Sequence, residues 1–482
     1  MNRNNIWIHV SIAVLLITIA AVLGQIDRWR SALQGPPQRT VQVDVKPSAD
    51  DNRRIAGMPE ILVRFKPGID LDRVREITEL NHDVLHDEIE SVSGLSIIDD
   101  LDDADAQTVA EQYASMSDVV EYAEPNFQID LDTKESMDWH PLAHDLLYRT
   151  NEASKFTFLL PNDPQFGDQW ALNNVGQNGG KARADIDALK AWLTSKGNRD
   201  VVVAVLDTGV DLKHVDLVEN LWKRPETVPA YSDDELGQID DQYGFDGTDA
   251  IQDPMDDNGH GTHCAGIIGA EGDNGEGIAG VNWRVKIMPL KFLGRGGFGG
   301  VDAAIEAINY AIDRKKHGVN IRVISASWGS NQNSRALRDT IKAAGDAGIL
   351  FVAAAGNDGS DNDRRPHYPS NFDLPNVVSV AALDRSDKLA GFSNYGPKTV
   401  HIAAPGKDIL STWLNNNYRE ASGTSMATPY VSGVAALIVA NQPSISMERL
   451  RAKLLSSVDK VDGLAGRVAS GGRINAAKAL AK

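Results

Sequence analysis

The sequence predicts an α/β body with a mostly parallel sheet, preceded by a small α+β unit. Two observations carry this. Between residues 161 and 482, short β-branched runs alternate with longer helical stretches. Residues 58–131 show a strand-helix order of their own. The runs of the body are Val201-Val-Val-Ala-Val-Leu206, 285–290, 323–327, 350–355 and 377–381. They are apolar without alternation, as strands buried on both faces must be. Helical segments are expected at 261–269, 301–317 and 335–347, with closing helices at 444–456 and 474–481.

The N-terminal unit begins with Glu60-Ile-Leu-Val-Arg-Phe65, which alternates like a strand. Leu71, Val74, Ile77 and Leu80 have helical spacing. Strands are expected near 83–89 and 94–98, a second helix at 104–116, and an extended finish at 119–129. The order β-α-β-β-α-β is that of a ferredoxin-like open sandwich.

The chain has 482 residues, a net charge of −19 and 42% hydrophobic residues. It has room for two or three domains and a large core. The negative balance argues against a nucleic-acid partner. The single cysteine, Cys264, excludes an intrachain disulfide. Ile6 to Leu23 is almost continuously apolar and follows a short start carrying Arg3. That pattern fits a signal peptide over 1–24, and about 18 apolar residues are also enough for a retained anchor. Export is therefore expected, to a secreted or periplasmic location, with membrane attachment only through this segment if it stays uncleaved. Residues 25–57 read as a linker and 132–160 as a connector.

Three stretches of the body bring reactive side chains to strand or helix ends. Asp207 closes the run 201–206 in Leu-Asp-Thr-Gly-Val. His260 opens a helix in Asp-Asp-Asn-Gly-His-Gly-Thr-His-Cys-Ala-Gly. Ser425 opens another in Ala-Ser-Gly-Thr-Ser-Met-Ala-Thr-Pro-Tyr, with Pro429 in its first turn. A serine hydroxyl needs an imidazole to take its proton. The imidazole needs a carboxylate to hold its tautomer. The order Asp, His, Ser excludes the α/β-hydrolase arrangement, because no histidine follows Ser425. A lone Asp-Thr-Gly also lacks the second copy an aspartic protease needs.

The three motifs together resemble those of the subtilases, subtilisin-like serine peptidases of the S8 type, near the thermitase branch. The resemblance covers about Asn162 to Lys482. It implies a three-layer sandwich, serine endopeptidase activity, and Asp207, His260 and Ser425 as the triad. It implies Asn357 as the side-chain oxyanion donor, and Ser327, Trp328 and Gly329 with the glycine-rich 294–300 as the strands that pair with a peptide substrate. No acidic signature for a dibasic site is placed, so broad specificity is expected. Calcium is the cofactor implied, with Asp163 and Asp216 as ligands. Asn274 would join by its side chain, and Glu271, Glu276 and Ile278 by their carbonyls. The Asp246, Asp249 and Asp253 run resembles a second calcium site of thermitase-like enzymes, but departs from it in having Ile251 where an acid is expected. No organic cofactor is implied.

The unit 58–131 resembles the subtilase propeptide, an intramolecular inhibitor and chaperone removed by cleavage within 130–161. The chain is then a self-processing zymogen, expected as a monomer acting on polypeptides. A catalytically silent peptide-binding scaffold is the alternative. His263 and Cys264 share the helix of His260 and read as structural.

Overall fold

In the computed structural model, the described residues are 61–102, 104–131, 160–233, 237–239, 241–248 and 253–481. The expected signal segment and linker lie outside them, as does the connector apart from its last residue. So do Asp249 of the acidic run and Ile251.

The N-terminal unit contains β1 (Ile61–Phe65), α1 (Leu71–Leu80), β2 (Asp83–Glu88), β3 (Leu95–Asp100), α2 (Ala106–Ser115) and β4 (Val120–Pro125). They form an antiparallel sheet in the order β2-β3-β1-β4. Asp70 and Asp105 accept backbone N–H groups at the starts of α1 and α2, satisfying donors that the helices cannot. Val63, Phe65, Val74, Ile77 and Val109 close a small core between helices and sheet. A short strand, β5 (Gln128–Asp130), leaves this unit.

The body is built on β6 (Gly197–Asp207), α3 (His260–Gly269), β7 (Arg284–Lys291), β8 (Phe298–Gly300), α4 (Val301–Lys316), β9 (Ile321–Ala326), α5 (Arg335–Asp346), β10 (Leu350–Ala354), β11 (Val377–Leu383) and β12 (Ile402–Pro405). A hairpin, β13 (Ile409–Trp413) and β14 (Asn417–Ala421), leads to α6 (Thr424–Asn441). Then come α7 (Met447–Ser456), β15 (Val458–Lys460), β16 (Gly472–Ile474) and α8 (Ala476–Leu480). The sheet runs β15-β16-β12-β11-β10-β9-β6-β7, ending on the two-residue strand Phe245–Asp246. Its pairings are parallel except β15 with β16.

Large apolar clusters lie on both faces. Val203 and Val205 of β6 pack with α3 and α6, whereas Ala204 and Leu206 pack with α4 and α5. This is the three-layer α/β sandwich. Helix α6 is buried from Thr424 to Val439, as expected for a helix apolar on all sides. Gly433 lets it approach Val281, where a Cβ would stand 2.8 Å away.

Candidate active site

The carboxyl ends of the parallel strands gather the predicted residues, as an open α/β sheet should. Asp207 ends β6 and His260 begins α3. Both are fully buried, and His260 Nδ1 lies 2.7 Å from Asp207 Oδ1. Asp207 also accepts the Thr208 N–H at 2.8 Å. Two glycines permit the meeting. Gly259 has φ 112°, which turns the chain into α3. A Cβ on Gly261 would stand 2.1 Å from the Gly209 carbonyl, so only glycine lets α3 press against the end of β6.

A neighbouring carboxylate, Asp256, ties the loop together. It accepts the Thr208 and Thr262 hydroxyls at 2.9 and 2.6 Å. It also accepts the N–H groups of Asn258, Gly259 and Thr262, each at 2.9 Å. Burial raises its pKa, against the pull of those donors. Lys291 is buried next to Thr208 and the following carboxylate, Asp257. Its ammonium donates to Thr208 O at 2.8 Å, Asp257 Oδ1 at 2.7 Å and Leu293 O at 3.0 Å. Sequence reasoning missed both residues. The adjacent Asp256-Asp257 beside His260 was the available signal, but only the fold brings Lys291 to them.

Ser425 occupies the first turn of α6, where unpaired N–H groups and the helix dipole favour negative charge. Its Oγ donates to the Ser327 carbonyl at 2.8 Å, and its own carbonyl accepts Ser327 Oγ at 2.9 Å. Cys264 joins the two halves. Its Sγ lies 3.6 Å from the Ser425 carbonyl, and within 4.8 Å of donor atoms of Asp207 and His260. His263 is buried with Nε2 3.1 Å from the carbonyls of Ile409 and Arg419. Burial pushes its pKa down to about 3, so it stays neutral.

Asn357 sits just beyond β10. Its Oδ1 accepts the Thr424 N–H at 2.8 Å and the Thr424 hydroxyl at 3.0 Å. Its Nδ2 is buried and has no partner among the described residues. A buried amide donor without an acceptor is costly unless an acceptor arrives. Ser327, Trp328 and Gly329 follow β9. Trp328 turns inward, donating from Nε1 to the Leu206 carbonyl at 2.9 Å. The indole therefore belongs to the core, and a peptide can meet only the backbone there.

The glycine-rich loop already holds an extended partner. β5 pairs antiparallel with β8, aligning Gln128, Ile129 and Asp130 with Gly300, Gly299 and Phe298. Leu131 N–H continues to the Gly297 carbonyl at 2.7 Å. Asn258, two residues before His260, donates to the Arg295 carbonyl at 3.0 Å, so the strand runs toward the His260 loop. Glu124, just upstream, accepts Ser334 Oγ at 2.5 Å and the N–H groups of Arg335 and Ala336 at 2.9 and 3.1 Å. It thus caps α5 from another element.

The six expected cation ligands lie on loops that converge. Asp216 accepts Asn274 Nδ2, Ile278 N–H and Tyr418 OH at 2.9, 2.9 and 3.0 Å, and its carbonyl accepts Glu271 N–H at 2.8 Å. Asp163 accepts Asp273 N–H at 2.8 Å, while its Oδ1 is buried and has no partner among the described residues. Burial raises its pKa to about 6. The Glu271 carboxylate faces Arg199 at 2.6 Å, which leaves only its carbonyl for a cation. A hard cation fits the orphaned Asp163 oxygen and the Asp216 carboxylate. Asn274 Nδ2 faces Asp216, and its Oδ1 accepts the Glu276 N–H at 2.8 Å with a second lone pair that a cation could use.

A parallel sheet with a buried Asp–His pair at one strand end and a serine at a helix N-terminus is the architecture of a serine peptidase. The sequence pattern of the Subtilase family matches residues 198–471, and the chain belongs to that family. Thermitase of Thermoactinomyces vulgaris is 35% identical over 66% of this chain and 99% of its own length. Subtilisin-like protease 2 of Plasmodium falciparum is 40% identical over 60% of this chain, which spans only 20% of that longer protein. A solved protease structure from Pseudoalteromonas arctica superposes with a TM-score of 0.54 at 29% identity, covering 67% of this chain and 99% of that one.

Proposed function

We propose that this chain is an exported serine endopeptidase, made as a zymogen that processes itself. The observation that carries the reading is that Cys264 lies between the buried Asp207–His260 pair and the Ser425 carbonyl, while Asn357 holds Thr424, the residue next to Ser425. In the mechanism, Ser425 Oγ attacks the peptide carbonyl and His260 takes its proton. Asp207 holds the imidazole tautomer and stabilises its cation. Asn357 Nδ2 donates to the oxyanion of the tetrahedral intermediate. His260 then returns the proton to the leaving amine, and water releases the acyl group by the same steps.

Residues 58–131 act as the inhibitory prosegment. The pairing of β5 with β8 supports this, because it occupies the strand a substrate would use. The apolar N-terminal segment is the basis for export. Calcium is proposed as a structural ion held by Asp163, Asp216, Asn274 and the carbonyls of Glu271, Glu276 and Ile278. Bound there, it would neutralise the two buried acids.

The test is expression of the wild type and of Ser425→Ala, both without residues 1–24, followed by intact mass. Wild type should shorten within 130–161 while the variant stays full length. A wild type that never shortens and leaves casein intact with calcium present would favour the silent scaffold.

A further inference from the structure

Asn357 stands on the turn 355–360 that follows β10. Gly356 has φ 103° and Gly359 φ 65°, so the chain is left-handed before and after it. One side chain from a distant segment spans this turn. Asn394, between β11 and β12, is 1% exposed. Its Oδ1 accepts the backbone N–H groups of Asp358 and Ser360 at 2.9 and 3.0 Å, and Ser360 Oγ at 3.3 Å. Its Nδ2 donates to the Ala355 carbonyl at 3.0 Å. Its own backbone N–H donates to the Gly356 carbonyl at 2.9 Å. Asn394 therefore bonds to the turn on both sides of Asn357.

The fit is specific to asparagine. A backbone N–H can only donate and a carbonyl can only accept, so the orientation of the Asn394 amide is fixed. An aspartate would keep the two N–H contacts but set a second oxygen against the Ala355 carbonyl. The packing is as close as the bonding: a Cβ on Gly356 would stand 2.5 Å from Asn394 Nδ2. Neighbouring residues extend the grip. Gly359 N–H donates to the Phe392 carbonyl at 2.6 Å, and Tyr395 N–H to the Ser360 carbonyl at 3.0 Å. Asn362 Nδ2 adds a second donor to the Ala355 carbonyl at 2.8 Å. Asn357 is thus held at two points. Thr424 fixes its side-chain oxygen, and Asn394 fixes the backbone on which it stands.

We propose that Asn394 is a positioning residue for the reaction, acting through Asn357. This rests on the peptidase reading above. The oxyanion forms only as the carbonyl is attacked, so its donor contributes only if it is already in place. A misplacement of about 1 Å can cost about 100-fold in rate. Thr424 alone leaves the Asn357 amide free to swing about its oxygen. The grip of Asn394 on the turn removes that freedom. Loosening it should therefore lower kcat and leave KM nearly unchanged, because the oxyanion is absent from the bound substrate.

The test is a double-variant cycle on processed enzyme. Active sites are counted by titration with a serine-directed phosphonofluoridate, and kcat and KM are measured on one peptide. Casein cleavage establishes the peptidase reading separately. Asn394→Ala should lower kcat about 10–100-fold, with KM changed less than about threefold. Asn394→Asp, which keeps both N–H contacts, should lose less. In the Asn357→Ala background, Asn394→Ala should lower kcat by no more than about twofold, because the group it positions is gone. A merely structural role would cut activity equally in both backgrounds. An equal loss in the two backgrounds, an unchanged kcat in Asn394→Ala, or a loss confined to KM overturns the inference. So does failure of both Asn394 variants to fold, since the residue would then hold the body and not the amide.

Discussion

The Asn357 Oδ1 accepts the Thr424 backbone N–H at 2.8 Å, and that bond decides which end of the amide is left for an incoming acceptor. A backbone N–H can only donate, so the oxygen is held back and Nδ2 is presented. Asn357→Ala should lower kcat about 10²–10³-fold, about 3–4 kcal/mol, with KM nearly unchanged. Steady-state kinetics on one peptide suffice. A change confined to KM would mean that Asn357 contacts the ground state instead.

If the N-terminal unit inhibits as proposed, Glu124 should govern how long it does so. It supplies charge-assisted bonds to the start of α5, and Arg335 stacks 4.0 Å from the Tyr122 ring beside it. Tyr122 OH donates to Asp339 at 3.0 Å. Hydrogen bonds to a charged group contribute about 1.5–3 kcal/mol. Glu124→Ala should therefore shorten the lag before casein cleavage by about 10-fold or more. An unchanged lag would show that release is limited by cutting and not by dissociation.

Calcium should stabilise the body through the Asp163 and Asp216 loops. Melting with calcium and with EGTA should give a higher Tm in calcium for Ser425→Ala. The added substitution Asp163→Ala should erase the difference. A difference that survives would move the ion to another site.

The N-terminal unit, the proposed prosegment, carries its own pH dependence. Tyr113 OH donates to Asp83 at 2.5 Å inside the unit. Burial raises the Asp83 pKa to about 6 from the ordinary 3.8, outweighing that bond. The folded state then binds the proton more tightly than the unfolded one. Its contribution is full below about pH 4 and is lost as pH rises through about 6. Asp83→Asn in Ser425→Ala should flatten the Tm profile of the prosegment between pH 4 and 7. A profile as steep as before would place the titration elsewhere.

Much of this was legible in sequence because it depends on local rules. Buried parallel strands must be apolar on both faces, so 201–206, 350–355 and 377–381 declared themselves. Several ends moved by a residue or more; the strand expected to begin at 201 extends back to Gly197. The hairpin of β13 and β14 and the strands β12, β15 and β16 went unread, being short and without clear periodicity. The motifs around Asp207, His260 and Ser425 could be found one by one, since each sits where a strand or helix ends.

By itself the sequence determined the sheet type, the reactive residue types and their order along the chain. Only the tertiary structure decided what surrounds them. Glu124 caps a helix 210 residues away, Lys291 donates to a carboxylate 34 residues upstream, and Thr424 orients an amide 67 residues before it. Asn394 grips a turn made by another segment. These partners meet because parallel strands far apart in sequence end at one edge of the sheet. No local periodicity carries that information.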